Sequence, residues 1–290
     1  MKGKKLSSRN LLILSMCIFG TVGIFRRSID LPSSLVALIR GIIGTCVLCG
    51  YFLIKKQSID KQALKENFLL LLLSGAAIGF NWIFLFEAYC YTSVATATLC
   101  YYLAPILVIL AAPIVFREKL TLGKSLCSLA ALVGMVLVSG ILDSGFSGVS
   151  EMKGVLFGLA AAVLYASVII MNKKMTGIPA LDKTIFQLAF ASIALVPYVL
   201  FTISPVELHM DINSGVMLLI LGALHTGMAY LMYFGSMGEL QAHTVALFSY
   251  LDPVLAIILS ALLLSEPLTI TGIIGAVLIL GAACIGELSN

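Results

Sequence analysis

ATATLCYYLAPILVILAAPIVFREKLT, residues 95–121, returns in recognisable form as HTVALFSYLDPVLAIILSALLLSEPLT at residues 243–269. At a constant offset the two stretches share Thr96/Thr244, Leu99/Leu247, Tyr102/Tyr250, Leu103/Leu251, Pro105/Pro253, Leu107/Leu255, Ile109/Ile257, Glu118/Glu266, Leu120/Leu268 and Thr121/Thr269. The chain is a duplication. Each copy is an apolar run with a proline in its middle and a glutamate at its far end, followed by a second apolar run. Proline inside an apolar helix frees a backbone carbonyl one turn earlier, and in lipid that is tolerated only where protein or a water-filled cavity satisfies it. Pro105 and Pro253 therefore mark helix breaks, one per half, and suggest a cavity between the halves.

The rest of the chain places these breaks in a membrane. Hydrophobic residues make up 60% of the sequence and charged residues 11%, with a mean hydropathy of +1.09. Soluble domains average roughly half apolar and a quarter charged. Apolar runs near or above the roughly 18 residues of a membrane-spanning helix recur from end to end. They predict an all-α integral membrane protein with ten transmembrane helices, at 11–25, 33–54, 67–89, 93–116, 122–142, 153–171, 183–203, 214–234, 242–264 and 268–286. The basic start and first apolar run resemble a signal peptide, but no small-x-small cleavage site follows, so an uncleaved first helix is expected.

Charge placement orients these spans. With the N-terminus cytoplasmic, inside segments collect Lys2, Lys4, Lys5, Arg9, Lys55, Lys56, Lys61, Lys65, Arg117, Lys119, Lys124, Lys173, Lys174 and Lys183, while outside segments hold Arg26, Arg27 and Lys153. The positive-inside rule then puts both termini in the cytoplasm, and the net charge of +4 reflects topology in the plasma membrane rather than a nucleic-acid partner. Arg26 and Arg27 are a local exception that either snorkels or faces inward. A polar link at 143–152 divides the chain into halves of five spans, 11–142 and 153–287. Five is odd, so the second half must be inserted upside down relative to the first. Inverted repeats with interrupted helices at matching positions are how many secondary transporters build a midplane site.

The glycines Gly41, Gly44, Gly75, Gly79, Gly272, Gly275 and Gly281 allow close helix approach. Seven cysteines are scattered without framework spacing, and Cys46-x-x-Cys49 lies mid-helix without a second ligand pair. These read as packing residues. No metal, cofactor or catalytic set is expected.

Ionisable side chains inside a bilayer face the protein interior and have a partner. Asp252 lies about halfway along the ninth span and His225 about halfway along the eighth, so they should meet at one level. Asp252 also precedes the break at Pro253. It either binds the amine of a substrate or carries a proton, with His225 near it; the structural alternative is a buried Asp/His pair that fixes two helices together. Arg40 and Glu87 have comparable depth near the outer ends of the second and third spans and form a candidate gate or ion pair, against a permanent brace or a solvated Glu87. Asn81, Tyr101, Tyr102, Tyr165, Gln187 and Tyr250 are candidates to line the cavity, since tyrosine offers an apolar face, a hydroxyl and a ring on which a cation can rest. Interhelical packing is the alternative for them, and for Trp82. Glu118 and Glu266 fall at the membrane boundary and are expected to cap the helices that follow them.

The pattern aromatic/Leu-x-Pro, about a dozen apolar residues, then Glu and Leu-Thr, present twice in a ten-span chain, resembles the EamA family of the drug/metabolite transporter (DMT) superfamily. Phe19-Gly20 and Arg40 are further local matches; Lys119 departs from the pattern, while Glu266-Pro267 keeps it. The resemblance covers nearly the whole chain. It implies two inverted five-helix EamA-type repeats around a central cavity, moving small organic solutes by alternating access, with export common among similar members.

The leading expectation is a secondary transporter, an exporter of a small amphiphilic metabolite that is amino-acid-like or cationic, with protons as the candidate coupling ion. Its partners are that small molecule and the lipid bilayer. No phosphate-cradling glycine-lysine motif indicates ATP-driven pumping. The competing classes are a membrane-embedded enzyme, for which no metal set or nucleophile motif is found, and a non-transporting sensor or channel.

Overall fold

The computed structural model describes residues 7–56, 59–115, 117, 122–138, 149–203, 210–237, 240, 248–249 and 251–288. All regular structure among them is helical: α1 (Ser8–Phe19), α2 (Val22–Arg27), α3 (Ser33–Ile54), α4 (Lys61–Glu66), α5 (Phe68–Tyr91), α6 (Val94–Tyr101), α7 (Ala104–Val115), α8 (Leu122–Val138), α9 (Val149–Lys174), α10 (Ala180–Thr202), α11 (Ile212–Ile220), a π-helical stretch (Leu221–Met228), α12 (Ala229–Met237), α13 (Leu251–Leu263) and α14 (Ile270–Leu288). Seven described helical passes are long and apolar enough to cross a bilayer, and shorter apolar helices lie at Ser125–Gly134, Leu251–Leu263 and Ile270–Ala282. Leu69, Ile193, Phe201 and Val277 all stand exposed, a liability in water but the expected surface toward lipid.

Hydroxyl groups inside the passes are satisfied locally, as a membrane interior demands. The hydroxyls of Ser15, Thr45, Ser74, Thr184 and Ser192 each donate to a carbonyl three or four residues earlier in their own helix. Arg26, the exception in the charge pattern, is buried: Nη1 donates to the carbonyl of Ile29 at 2.8 Å and Nη2 to Ser33 Oγ at 2.8 Å.

Packing runs chiefly between the halves. α9 lies along α5, α14 along α8, and α10 against both α3 and α5; α3 meets the π-helical stretch, and α1 meets α12. Exchange each pass with its counterpart in the other half and this set of neighbours maps onto itself. Helix ends are tied together in two groups. At one end the backbone N–H of Asp30 donates to Ser214 Oγ, and Arg27 Nη2 donates to the carbonyl of Thr92. At the other, Asn67 Nδ2 donates to the carbonyl of Thr176.

Without water to drive helices together in lipid, close backbone approach supplies much of the attraction. A Cβ added to Gly75 would lie 2.7 Å from the carbonyl oxygen of Gln187, and one on Gly44 2.4 Å from Thr226 Cγ2. Gly41 and Gly79 meet α10 in the same way, and Gly275 offers its carbonyl to Gly134. Gly281 has no neighbour within 4 Å of such an atom, and for Gly272 the nearest is Thr269 in the preceding turn, so these two do not bring helices together. Gly75→Ala is expected to lower stability by about 1–3 kcal/mol through overpacking. Gly50→Ala, where nothing lies within 4 Å, should be neutral or stabilising by about 0.5–1 kcal/mol. Thermal unfolding of both variants in detergent checks the contrast; equal midpoints would remove close approach as the role of Gly75.

Candidate functional site

Two interruptions in the helical passes come together with the first turn of α13. The first pass breaks at Gly20–Thr21, between α1 and α2. The pass containing Pro105 breaks at Tyr102–Leu103, between α6 and α7, as a proline there requires. In the second copy α13 begins at Leu251, so Asp252 and Pro253 sit in its first turn. Gly20 lies directly on this turn: an added Cβ would be 2.8 Å from the carbonyl oxygen of Asp252 and 2.9 Å from Leu255 Cβ. Only glycine allows that approach.

Asp252 and Tyr102, one from each copy of the duplicated motif, meet here. The Tyr102 hydroxyl donates to Asp252 Oδ2 at 2.7 Å and lies 3.4 Å from the carbonyl of Ser249. That carbonyl is the one Pro253 leaves without a helical donor, being four residues earlier. Tyr101 stacks on Tyr165 with ring centroids 5.0 Å apart. Tyr250 lies outside the described residues, as do Glu118 and residues 143–148 of the expected link, whose last four residues, 149–152, are instead helical at the start of α9.

His225 lies on the other side of the first break. It is fully buried in the π-helical stretch, with Nε2 2.8 Å from Thr21 Oγ1, Nδ1 3.3 Å from the carbonyl of Ile220, and its ring edge-on to Phe25 at 4.8 Å. π-Helical turns inside α-helices often mark functional positions. His225 and Asp252 thus touch the same kink, Gly20–Thr21, without being hydrogen-bonded to each other.

Arg40 sits 4% exposed with its guanidinium over the ring of Trp82 at 4.4 Å and near Phe86 at 5.2 Å. Its Nε donates to Thr226 Oγ1 at 2.9 Å, and Thr226 in turn donates to the carbonyl of Leu221 at 3.0 Å. The structure makes no ion pair between Arg40 and Glu87; Glu87 is half-buried, and the ion pair formed among the described residues is Arg27–Glu266, at 3.1 Å. Asn81 and Gln187 are engaged between helices. Asn81 Nδ2 donates to the carbonyl of Ala161 at 2.6 Å, and Gln187 Nε2 is 2.8 Å from both Ser74 Oγ and Asn172 Oδ1.

Glu266 does cap a helix, but not the one after it. Both of its carboxylate oxygens accept the N–H of Val94, at 3.2 and 2.9 Å, at the start of α6 in the other half, while Ser260 Oγ donates to Oε2 and Arg27 Nη2 to Oε1. The helix that follows Glu266 is capped by Thr269, whose hydroxyl oxygen accepts the N–H of Gly272 at 3.0 Å. Local spacing could not reveal a partner from the other half. Sequence reasoning also missed Thr21 and Thr226. Their signal was position: each adjoins a residue already singled out, Gly20 and His225.

Multiple apolar passes, interrupted at a cluster of ionisable and aromatic side chains, define the class: a multi-pass membrane transporter. The model of the EamA-like transporter family matches residues 9–140 and again 152–285, and the chain belongs to that family. It is 30% identical over 252 residues to the uncharacterized transporter YxxF of Bacillus subtilis (strain 168), covering 86% of this chain and 79% of the relative. An uncharacterized transporter of Clostridium kluyveri is 26% identical over 260 residues, 88% of this chain and 83% of its own length. A crystal structure described only as that of a protein superposes with a TM-score of 0.67 over 98% of both chains at 21% identity, a likeness of fold.

Proposed function

We propose that this protein is a secondary transporter that exports a small amphiphilic, amino-acid-like or cationic metabolite across the plasma membrane by alternating access, driven by protons. The observation that carries this reading is the convergence of two helix breaks of the first half, at Gly20–Thr21 and Tyr102–Leu103, on Asp252 in the second. A broken helix inside a membrane is tolerated where it lines a cavity, and a carboxylate placed there can hold an ammonium group or a proton. Tyr101, Tyr102, Tyr165 and His225 complete the binding region, with Tyr250 assigned to it by its place in the repeat.

The transporter has ten passes, the seven long ones and the three shorter apolar helices, in two inverted halves at 11–142 and 153–287. Helix-end contacts support the inversion. The third pass starts at Asn67, opposite the Arg27 end, whereas its counterpart, the eighth, starts at Ser214 beside Asp30. With both termini cytoplasmic, the Arg27 end faces outward.

Flux of labelled amino acids, amines and organic acids into proteoliposomes, with and without an imposed pH gradient, tests the function. Saturable uptake of one chemical class, stimulated severalfold by the gradient and absent from protein-free vesicles, is the expected result. Folded protein that moves no compound of the panel would overturn it, and uptake indifferent to the gradient would remove proton coupling.

A further inference from the structure

Gly272 and Gly281, the two glycines that bring no helices together, line one cavity. It is a groove of about 400 Å³ between α6 of the first half and α13 and α14 of the second, walled by Leu99, Ile257, Ala276 and Leu280. Leu268, Ile273 and Val277 also line it and are 46%, 48% and 67% exposed, so it opens on the lipid-facing surface of the bundle. Along α14 it runs from Thr269 to Gly281, about 18 Å at about 1.5 Å per residue. That is close to the depth of one leaflet, half of a hydrocarbon core about 30 Å thick. A volume of this size spread over such a length is too narrow for an α-helix, about 10–12 Å across, and suits a single hydrocarbon chain. The absent side chains of the two glycines leave the room for it.

The walls are apolar, but the mouth is not. Ser93 Oγ accepts the N–H of Thr96 at 2.9 Å and Thr269 Oγ1 that of Gly272 at 3.0 Å, and all four residues line the groove. The N-terminal ends of α6 and α14, where negative charge is favoured, thus meet at the mouth. Arg27 stands beside it. Its Nη2 lies 2.6 Å from the carbonyl of Thr92 and 3.1 Å from Glu266 Oε1, and the next residues in the chain, Ser93 and Pro267, line the groove. Nη2 makes both of these bonds, so Nε and Nη1 have no partner among the described residues, and the side chain is 36% exposed. Glu266 brings a negative charge to the same place, but its carboxylate is 12% exposed and already engaged by the Val94 N–H, the Ser260 hydroxyl and Arg27. What stays open at the mouth is a pair of guanidinium donors, the geometry that takes a phosphate.

We infer that this groove is the seat of one phospholipid, an acyl chain lying along α14 over Gly272 and Gly281 and the phosphate on the open donors of Arg27. In the orientation proposed above the lipid belongs to the outer leaflet. Its contacts span both halves, beside the joint between Glu266 and Val94.

Native mass spectrometry of the full-length protein released from detergent reads this binding without any need for flux. The probes are dioleoyl phosphatidylglycerol, the dioleoylglycerol left by removing its headgroup, and glycerol phosphate, which has no chains. One phospholipid per protein is expected to stay bound, at least about tenfold more strongly than dioleoylglycerol, as the loss of a hydrogen bond to a charged group implies. Glycerol phosphate should not be retained. Gly281→Phe puts a ring into the inner end of the groove, where an added Cβ meets no atom within 4 Å, so the fold is kept and retention should fall at least about tenfold. Arg27→Gln should bring the phospholipid down to the level of dioleoylglycerol. Unchanged retention in Gly281→Phe would overturn the inference, since the lipid would then sit elsewhere on the surface. Equal retention of phospholipid and dioleoylglycerol by the wild type would overturn it too, and that comparison needs no variant. So would the absence of any adduct, including the case of a dimer that Gly281→Phe dissociates, which would give the groove to a second copy of the chain.

Discussion

Asp252→Asn is expected to reduce gradient-driven flux by at least about 100-fold while leaving the folded protein intact. The substitution is nearly isosteric, and the Tyr102 hydroxyl that donates to Oδ2 at 2.7 Å can donate equally to the amide oxygen, so the contact between the two halves survives. What is lost is the negative charge. Removing one partner of a desolvated charged pair costs about 2–5 kcal/mol, and a site that carries protons loses its carrier outright. Tyr102→Phe removes one hydrogen bond to the carboxylate and should cost less, about tenfold, in line with 0.5–1.5 kcal/mol for such a bond. Flux measured at matched protein per vesicle, with thermal stability as the control for folding, gives the order wild type, Tyr102→Phe, Asp252→Asn. Wild-type flux in Asp252→Asn would take the residue out of the transport site and leave it as a brace between the ninth pass and Tyr102.

Much of this arrangement is legible in the sequence because its causes are local. A proline four residues after Tyr101 must break the helix there, and the structure breaks it at Tyr102–Leu103. The duplication brings Asp252 to the corresponding place in the other half, and the apolar runs mark the passes. Depth can be counted along each pass, which is why Arg40 and Glu87 are expected to meet. Depth does not give direction around the helix axis. Trp82 and Phe86 are four residues apart and share the face that meets Arg40; Glu87 is one residue further, rotated by about 100°. The π-helical stretch Leu221–Met228 has no signature in residue type either. It packs against α3, where Thr226 and Gly44 interlock. The partner of Glu266 belongs to the same class: its contact with Val94 joins residues far apart in the chain, and only the docking of the two halves creates it.

That docking yields the second large expectation, that Glu266→Gln opens the end of the bundle at which Arg27 lies. The carboxylate is contributed by the second half, and it holds the Val94 N–H at the start of α6 and the Arg27 guanidinium, both from the first. Any motion that opens this end between the halves must separate them. The two contacts do not contribute equally. Arg27 is 36% exposed, and an ion pair in that setting is worth under about 1 kcal/mol. The bond to a helix N-terminus is better sheltered, with Glu266 at 12% exposure, and hydrogen bonds to charged groups contribute about 1.5–3 kcal/mol. Glu266→Gln should therefore raise the open population about tenfold or more, and Arg27→Met only a fewfold. Spin labels at the exposed positions Ser28 and Ser265, in a background free of the native cysteines, read the separation across the contact. Wild type should give one short distance, and Glu266→Gln a second, longer one whose weight grows further in Glu266→Ala. A change in the balance of states alters flux through either the opening or the closing step, so the distance distribution, not the rate, decides the matter. Identical distributions in wild type and Glu266→Gln would mean that the Glu266–Val94 contact is a fixed joint and that the two halves separate elsewhere.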